Sequence, residues 1–247
     1  MLLNGVRQCG KTYVLKEFGR REFDSLAYVS CDRNVNLQAI YSGDFDVARI
    51  IQGLSALTGV DIIPGKTLIF LDEVQAFPQA LEALKYFCED APEYHIAVAG
   101  SLLGVALHAG VSFPVGKVQT LRLFPMDFEE FLMAMGEEQL LKLMHSHDYE
   151  LMNAFHEKLK DLLRQYYYVG GMPEVVKAFV ENKLLNQVRS LQNEILSNYA
   201  SDFSKHAPSL HHYLMDHPDI SAIRYSMLPY RQQANITNMP LYGVFLK

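Results

Sequence analysis

Eight residues near the amino terminus, Gly5-Val6-Arg7-Gln8-Cys9-Gly10-Lys11-Thr12, satisfy GxxxxGK[ST] at every fixed position, and that pattern works as the turn between a buried strand and a helix. The loop's backbone N–H groups can wrap an anionic phosphate chain while the helix N-terminus adds its partial positive charge. The flanks suit this reading. Met1-Leu2-Leu3-Asn4 reads as the tail of an apolar strand, and Lys11 to about Phe18 as a helix. In such a setting Lys11 can reach the β- and γ-phosphate oxygens, and the Thr12 hydroxyl can ligate Mg²⁺.

The remainder of the first half is expected to supply the sheet that this turn requires. Leu26–Ser30 is a strand candidate. Val47 to Leu57 carries apolar residues at 47, 50, 51 and 54, the spacing of a helix face. Pro64-Gly65 marks a turn, after which Thr67–Leu71 is a continuous apolar run of the kind covered on both faces. Gln79 to Glu89 reads as a helix and His95–Ala99 as another buried strand, closed by Gly100-Ser101. Strand and helix alternate, which predicts an α/β fold: a parallel sheet flanked by helices, followed by a smaller all-helical lobe.

The lobe is expected to begin near Pro125. Asp127 and Glu130 have capping-box spacing, and Phe128, Phe131, Leu132 and Met135 form an apolar stripe that reads as core. Gly170-Gly171-Met172-Pro173 stops one helix and starts another, Lys183 to Phe203 reads as a longer helix, and periodicity fades from about His206. The expected division is a core over 1–122, a helical lid over 123–206 and a poorly defined, truncated segment over 207–247.

A phosphate loop calls for acidic residues at the carboxyl end of another strand, where ligands gather in open α/β sheets. Asp72 and Glu73 answer it: Asp72 is the candidate to hold Mg²⁺ directly or through water, and Glu73 to orient or deprotonate the attacking water. Ser101 is a candidate to sense the γ-phosphate or hold that water, with helix capping as the competing reading. The expected ligands are therefore ATP and Mg²⁺, with nucleotide contacts from Gly5 through Tyr13 and catalytic roles for Lys11, Glu73 and Ser101. Arg122 and Arg164 are candidates for a transition-state cation, but spacing singles out neither.

Composition narrows the partners. The chain has 247 residues and a formal net charge of −6, so it gives no direct evidence for a nucleic-acid surface. No apolar run reaches the roughly 18 residues of a membrane span. Cys9, Cys31 and Cys88 are widely spaced, without a CxxC pair, and fit reduced thiols in a cytoplasmic setting. A neutral filler is the favoured reading of Cys9, against a redox-sensitive thiol. The histidines lack zinc-site spacing, and Tyr166-Tyr167-Tyr168 lacks the interleaved basic residues of a base-stacking surface.

These residues together resemble the prokaryotic AAA-like ATPases that pair an N-terminal P-loop domain with a C-terminal domain of unknown function. The likeness extends through Gly43–Asp46, Pro64–Gln75, Gly100–Gly104, Phe113–Val118, Phe124–Phe131 and Val169–Glu174. It covers residues 1 to 206 and, more loosely, Ile223 to Lys247. The resemblance implies ATP binding and hydrolysis coupled to motion of a helical lobe, with a protein partner or self-association left open. It also implies a chain truncated at both ends and lacking the C-terminal domain. Tyr13 stands where many relatives have a second threonine. The alternative function is a nucleotide-gated switch with little turnover, or an inactive fragment; a small-molecule kinase is a weaker third, since Asp72 and Glu73 point to water as acceptor.

Overall fold

The apolar runs pair as five parallel strands in the order β2-β3-β4-β1-β5: β1 Leu2–Gly5, β2 Ser25–Ser30, β3 Thr67–Asp72, β4 His95–Gly100 and β5 Thr120–Leu123. This computed structural model describes residues 1–100, 118–199, 222–226, 231–233 and 236–240. The chain divides into two compact units, Met1–Lys177 and Ala178–Lys247.

Within the first unit, α1 (Lys11–Glu22), α2 (Asn36–Ile40), α3 (Val47–Thr58) and α4 (Pro78–Asp90) alternate with the strands. All six residues of β3 are buried, because alternate side chains enter separate cores. Leu68 and Phe70 pack with Leu3, Leu15, Ala97 and Ala99. Ile69 and Leu71 pack with Ile50, Leu54, Leu81 and Leu84 from α3 and α4. Asp46 opens α3 by accepting from the Ala48 N–H at 2.9 Å, and Gly59 closes it.

After β5 the chain turns helical, with α5 Phe128–Ala134, α6 Glu138–His145, α7 Tyr149–Asn153, α8 His156–Val169 and α9 Pro173–Asn182. The capping box at Asp127 is formed. Its carboxylate accepts from the Glu130 N–H, and Glu130 accepts from the Asp127 N–H, each at 2.9 Å. Phe131 and Leu132 are fully buried, and Leu132 packs with Leu140, Leu162, Phe128 and Met135. That stripe is core. Tyr166 also turns inward, donating to the Met126 carbonyl at 3.0 Å and lying tilted against Phe128 and Phe131.

Three elements depart from the expectation. β5 comes from a mostly exposed Thr-Leu-Arg-Leu stretch whose alternation lasts only four residues; its pairing with β1, from Leu2↔Thr120 to Gly5↔Leu123, makes it a strand. The helix expected from Lys183 starts at 185 and is described to 199 as α10, because Lys183 adopts φ 51° and breaks it from α9. A poorly defined segment was expected over 207–247, yet Ala222–Ser226, Arg231–Gln233 and Ile236–Pro240 form a second sheet, β6-β8-β7. Its outer strands meet β8, one parallel and one antiparallel. Such short polar strands carry little periodic signal of their own.

Candidate functional site

The carboxyl ends of β1 and β3, separated in the sheet by β4, bring the two sequence motifs together. β1 ends at Gly5, and the loop runs directly into α1 at Lys11. Gly5 is required by close approach: a Cβ there would lie 2.4 Å from the Leu123 carbonyl oxygen and 2.9 Å from Cys9 Sγ. Gln8 at φ 61° and Gly10 at φ 92° curl the loop, and no side chain caps α1, so its first amides are not committed to a cap. Val6, Arg7 and Gln8 are exposed, whereas Cys9 is buried and its thiol faces the Leu123 carbonyl at 3.8 Å. Cys9 thus packs the floor of the loop, which suits the filler reading. Tyr13 projects outward, 71% exposed.

Lys11 is only 6% exposed, and its ammonium donates to the Gly5 and Val6 carbonyls at 3.0 and 2.8 Å. The Thr12 hydroxyl donates to Asp72 Oδ2 at 2.7 Å, across sixty residues of chain. Asp72 is 4% exposed and accepts three times: from Thr12, from the Tyr28 hydroxyl at 3.3 Å on the same oxygen, and from the Glu73 N–H at 3.0 Å on Oδ1. A buried carboxylate needs such donors to offset its lost hydration.

Glu73 lies in the left-handed region at φ 52°, and a short 3₁₀ turn, Val74–Ala76, follows it. The Gln75 amide donates to Glu73 Oε2. Tyr28 and Gln75 are the site residues that sequence reasoning missed. Gln75 offered one signal, its place two residues after Glu73; Tyr28 offered none, since its approach to Asp72 depends on the β2–β3 register, Tyr28↔Phe70 and Ser30↔Asp72.

Burial and the two carboxylates together shift the neighbouring acids. Burial, and then Asp72, push the Tyr28 phenol above its ordinary value, so it holds its proton and donates. Burial foremost, with Asp72 and Glu73 adding, raises the Cys31 thiol to about 12. Cys31 continues the ladder beyond the strand ends, its N–H donating to the Asp72 carbonyl at 2.8 Å.

The donor set suits a small hard cation. A hydroxyl and a carboxylate oxygen stand 2.7 Å apart at the mouth of an amide-lined loop, the ligand chemistry that Mg²⁺ shares with substrate phosphates. Pro173 at the start of α9 approaches this loop, 3.7 Å from where a Gly10 Cβ would stand. Ser101 lies outside the described residues. Arg164 forms an exposed pair with Asp161 at 3.0 Å, and Arg122 lies over the Phe124 ring. Among the described residues no group of three or more His, Cys, Asp or Glu side chains is gathered as a metal site, and no helix is long and apolar enough to cross a membrane.

The model of the family described as AAA domain matches residues 1–132. A second model, a domain of unknown function (DUF8612), matches 160–217, a stretch that begins inside α8 and is not a separate C-terminal domain. No curated protein matches the chain. Similar solved structures include the ORC2 protein of Aeropyrum pernix in ADPNP and ADP complexes, at 16% identity and TM-score 0.39 over 55% of this chain and 44% of that one. PCH-2 of C. elegans is similar at 14% and 0.42, over 80% and 60%. Drosophila ORC bound to DNA is similar at 14% and 0.39, over 79% and 61%. The chain thus spans between 44% and 61% of the length of these structures.

Proposed function

The chain belongs to the AAA-domain family, whose model covers 132 of its 247 residues, and from that premise we propose that it binds Mg·ATP at Gly5–Tyr13 and hydrolyses it. The observation that carries this reading is the Thr12–Asp72 hydrogen bond at 2.7 Å, which joins the phosphate loop to the acidic end of β3. In the proposed mechanism Lys11 exchanges its loop carbonyls for β- and γ-phosphate oxygens, and the α1 amides hold the phosphate chain. Thr12 and Asp72 would hold Mg²⁺, which when bound would offset the negative charge of the phosphate chain. Glu73 orients the water and takes its proton onto a carboxylate oxygen as the new P–O bond forms and ADP leaves.

Residues 1–122 act as the ATPase core and 123–206 as the lid. Support for coupling comes from Pro173, which approaches Gly10, and from the Gly171 carbonyl, which accepts from the Met126 N–H at 2.7 Å. A change in loop shape would therefore be felt where α9 begins. The chain acts in the cytoplasm, with a protein partner or a second copy as the target of the motion.

The test is equilibrium binding of Mg·ATP and phosphate release by the purified chain, with Lys11→Ala as control. Saturable binding and release, both lost in Lys11→Ala, support the reading; a folded parent protein that neither binds nor releases overturns it. One observation favours a second reading, a nucleotide-gated switch with little turnover: Gln75 holds the Glu73 carboxylate. Gln75→Ala should then speed phosphate release severalfold at unchanged ATP affinity. Unchanged or slower release removes that reading.

A further inference from the structure

We propose that Tyr28 is a positioning residue that fixes the Asp72 carboxylate for its divalent cation, and that Lys16 holds the Tyr28 ring in place. This deepens the proposed function and rests on it. Asp72 Oδ2 receives two hydroxyl donors, Thr12 at 2.7 Å and Tyr28 at 3.3 Å, while Oδ1 receives the Glu73 N–H at 3.0 Å. Both oxygens are thereby pinned. Thr12 is itself a candidate metal ligand, so among the described residues Tyr28 is the side-chain donor that orients Oδ2 without also serving the cation.

The tyrosine ring is fixed in turn. It lies tilted against Phe70, with centroids 5.3 Å apart, and the Lys16 ammonium sits 3.5 Å over its face. A cation at that distance is attracted by the ring quadrupole. Lys16 follows Thr12 by four residues on α1, so both project from one face of the helix. α1, β2 and β3 thus converge on a single carboxylate. Mg²⁺ demands near-ideal octahedral geometry, whereas Ca²⁺ accepts a looser and larger shell. A carboxylate held at both oxygens therefore favours the smaller ion, and freeing one oxygen relaxes that preference.

The experiment titrates MgCl2, and separately CaCl2, into the full chain carrying a fluorescent ATP analogue, for the parent, Tyr28→Phe and Lys16→Gln. Metal-free nucleotide binding and thermal unfolding are followed in parallel. Tyr28→Phe keeps the ring and removes only the hydroxyl. It should leave the protein folded and able to bind the nucleotide, raise the Mg²⁺ concentration for half-effect about tenfold, the low end for outer-shell partners, and narrow the gap between Mg²⁺ and Ca²⁺. Lys16→Gln should move in the same direction by a smaller factor. Parental Mg²⁺ dependence in a folded Tyr28→Phe that binds the nucleotide overturns the positioning role and leaves the ATPase reading intact. A parent protein that binds no nucleotide overturns both.

Discussion

Glu73 occupies a left-handed backbone conformation at φ 52°, one that non-glycine residues adopt uncommonly, and it does so one residue past the buried end of β3. Its proposed role as water base makes Glu73→Gln informative, since the amide keeps the shape and loses the proton acceptor. ATP binding should persist while phosphate release falls by about 10²–10⁴-fold, the usual range for a positioned base; release at the parental rate would remove Glu73 from the mechanism. Cys31 offers a pH signature. Its folded thiol is raised from about 9 to about 12, so its contribution to stability is complete below pH 9 and is lost as pH rises towards 12. Denaturant titrations should show a shallower alkaline decline for Cys31→Ala than for the parent. In thiol labelling near neutral pH, the exposed Cys88 should react well before Cys31. At this scale the candidate residues with fixed spacing, Gly5 to Thr12 and Asp72-Glu73, were legible as motifs because each pattern spans one local geometry. Tyr28 was not, because a tyrosine in a strand has no spacing rule that announces a hydrogen bond to a carboxylate, and Gln75 offered only its nearness to Glu73.

The element most exposed to disruption is the junction before α9. A Cβ on Gly171 would lie 2.0 Å from the Met126 carbonyl oxygen, a backbone atom that cannot swing aside. Gly171→Ala should therefore destabilise the first unit by about 2–3 kcal/mol, at the upper end of overpacking costs, measured by chemical denaturation. It should also weaken Mg·ATP binding if α9 and the phosphate loop are coupled through Pro173. A loss of stability with unchanged nucleotide affinity would confine Gly171 to a packing role. Long elements with strong periodicity were legible in sequence: α3 was expected over 47–57 and spans Val47–Thr58, and the Asp127 capping box formed as its spacing implied. The elements that escaped were short ones. α2 is five residues and β5 four, too brief for a period to show, and the strands β6 to β8, of three to five residues, become strands by pairing with one another.

For the whole molecule, ligand linkage gives the broadest test. A ligand that binds the folded state alone stabilises it by about 2.7 kcal/mol at 100 times its dissociation constant. Saturating Mg·ATP should therefore raise the unfolding temperature of the parent and leave that of Lys11→Ala unchanged; equal shifts in both would place the nucleotide elsewhere. The α/β class and the position of the candidate residues at strand ends were determined by the sequence itself, because apolar runs bounded by turns and a glycine-framed loop act over a few residues. The strand order β2-β3-β4-β1-β5 was decided only in three dimensions, since every neighbour in it is set by burial and backbone pairing between distant segments. The same holds for the site's inner geometry. Thr12 meets Asp72, Tyr28 meets Asp72 and Pro173 meets Gly10 only once the sheet and helices have packed, because a buried carboxylate must find its donors wherever the packed chain delivers them.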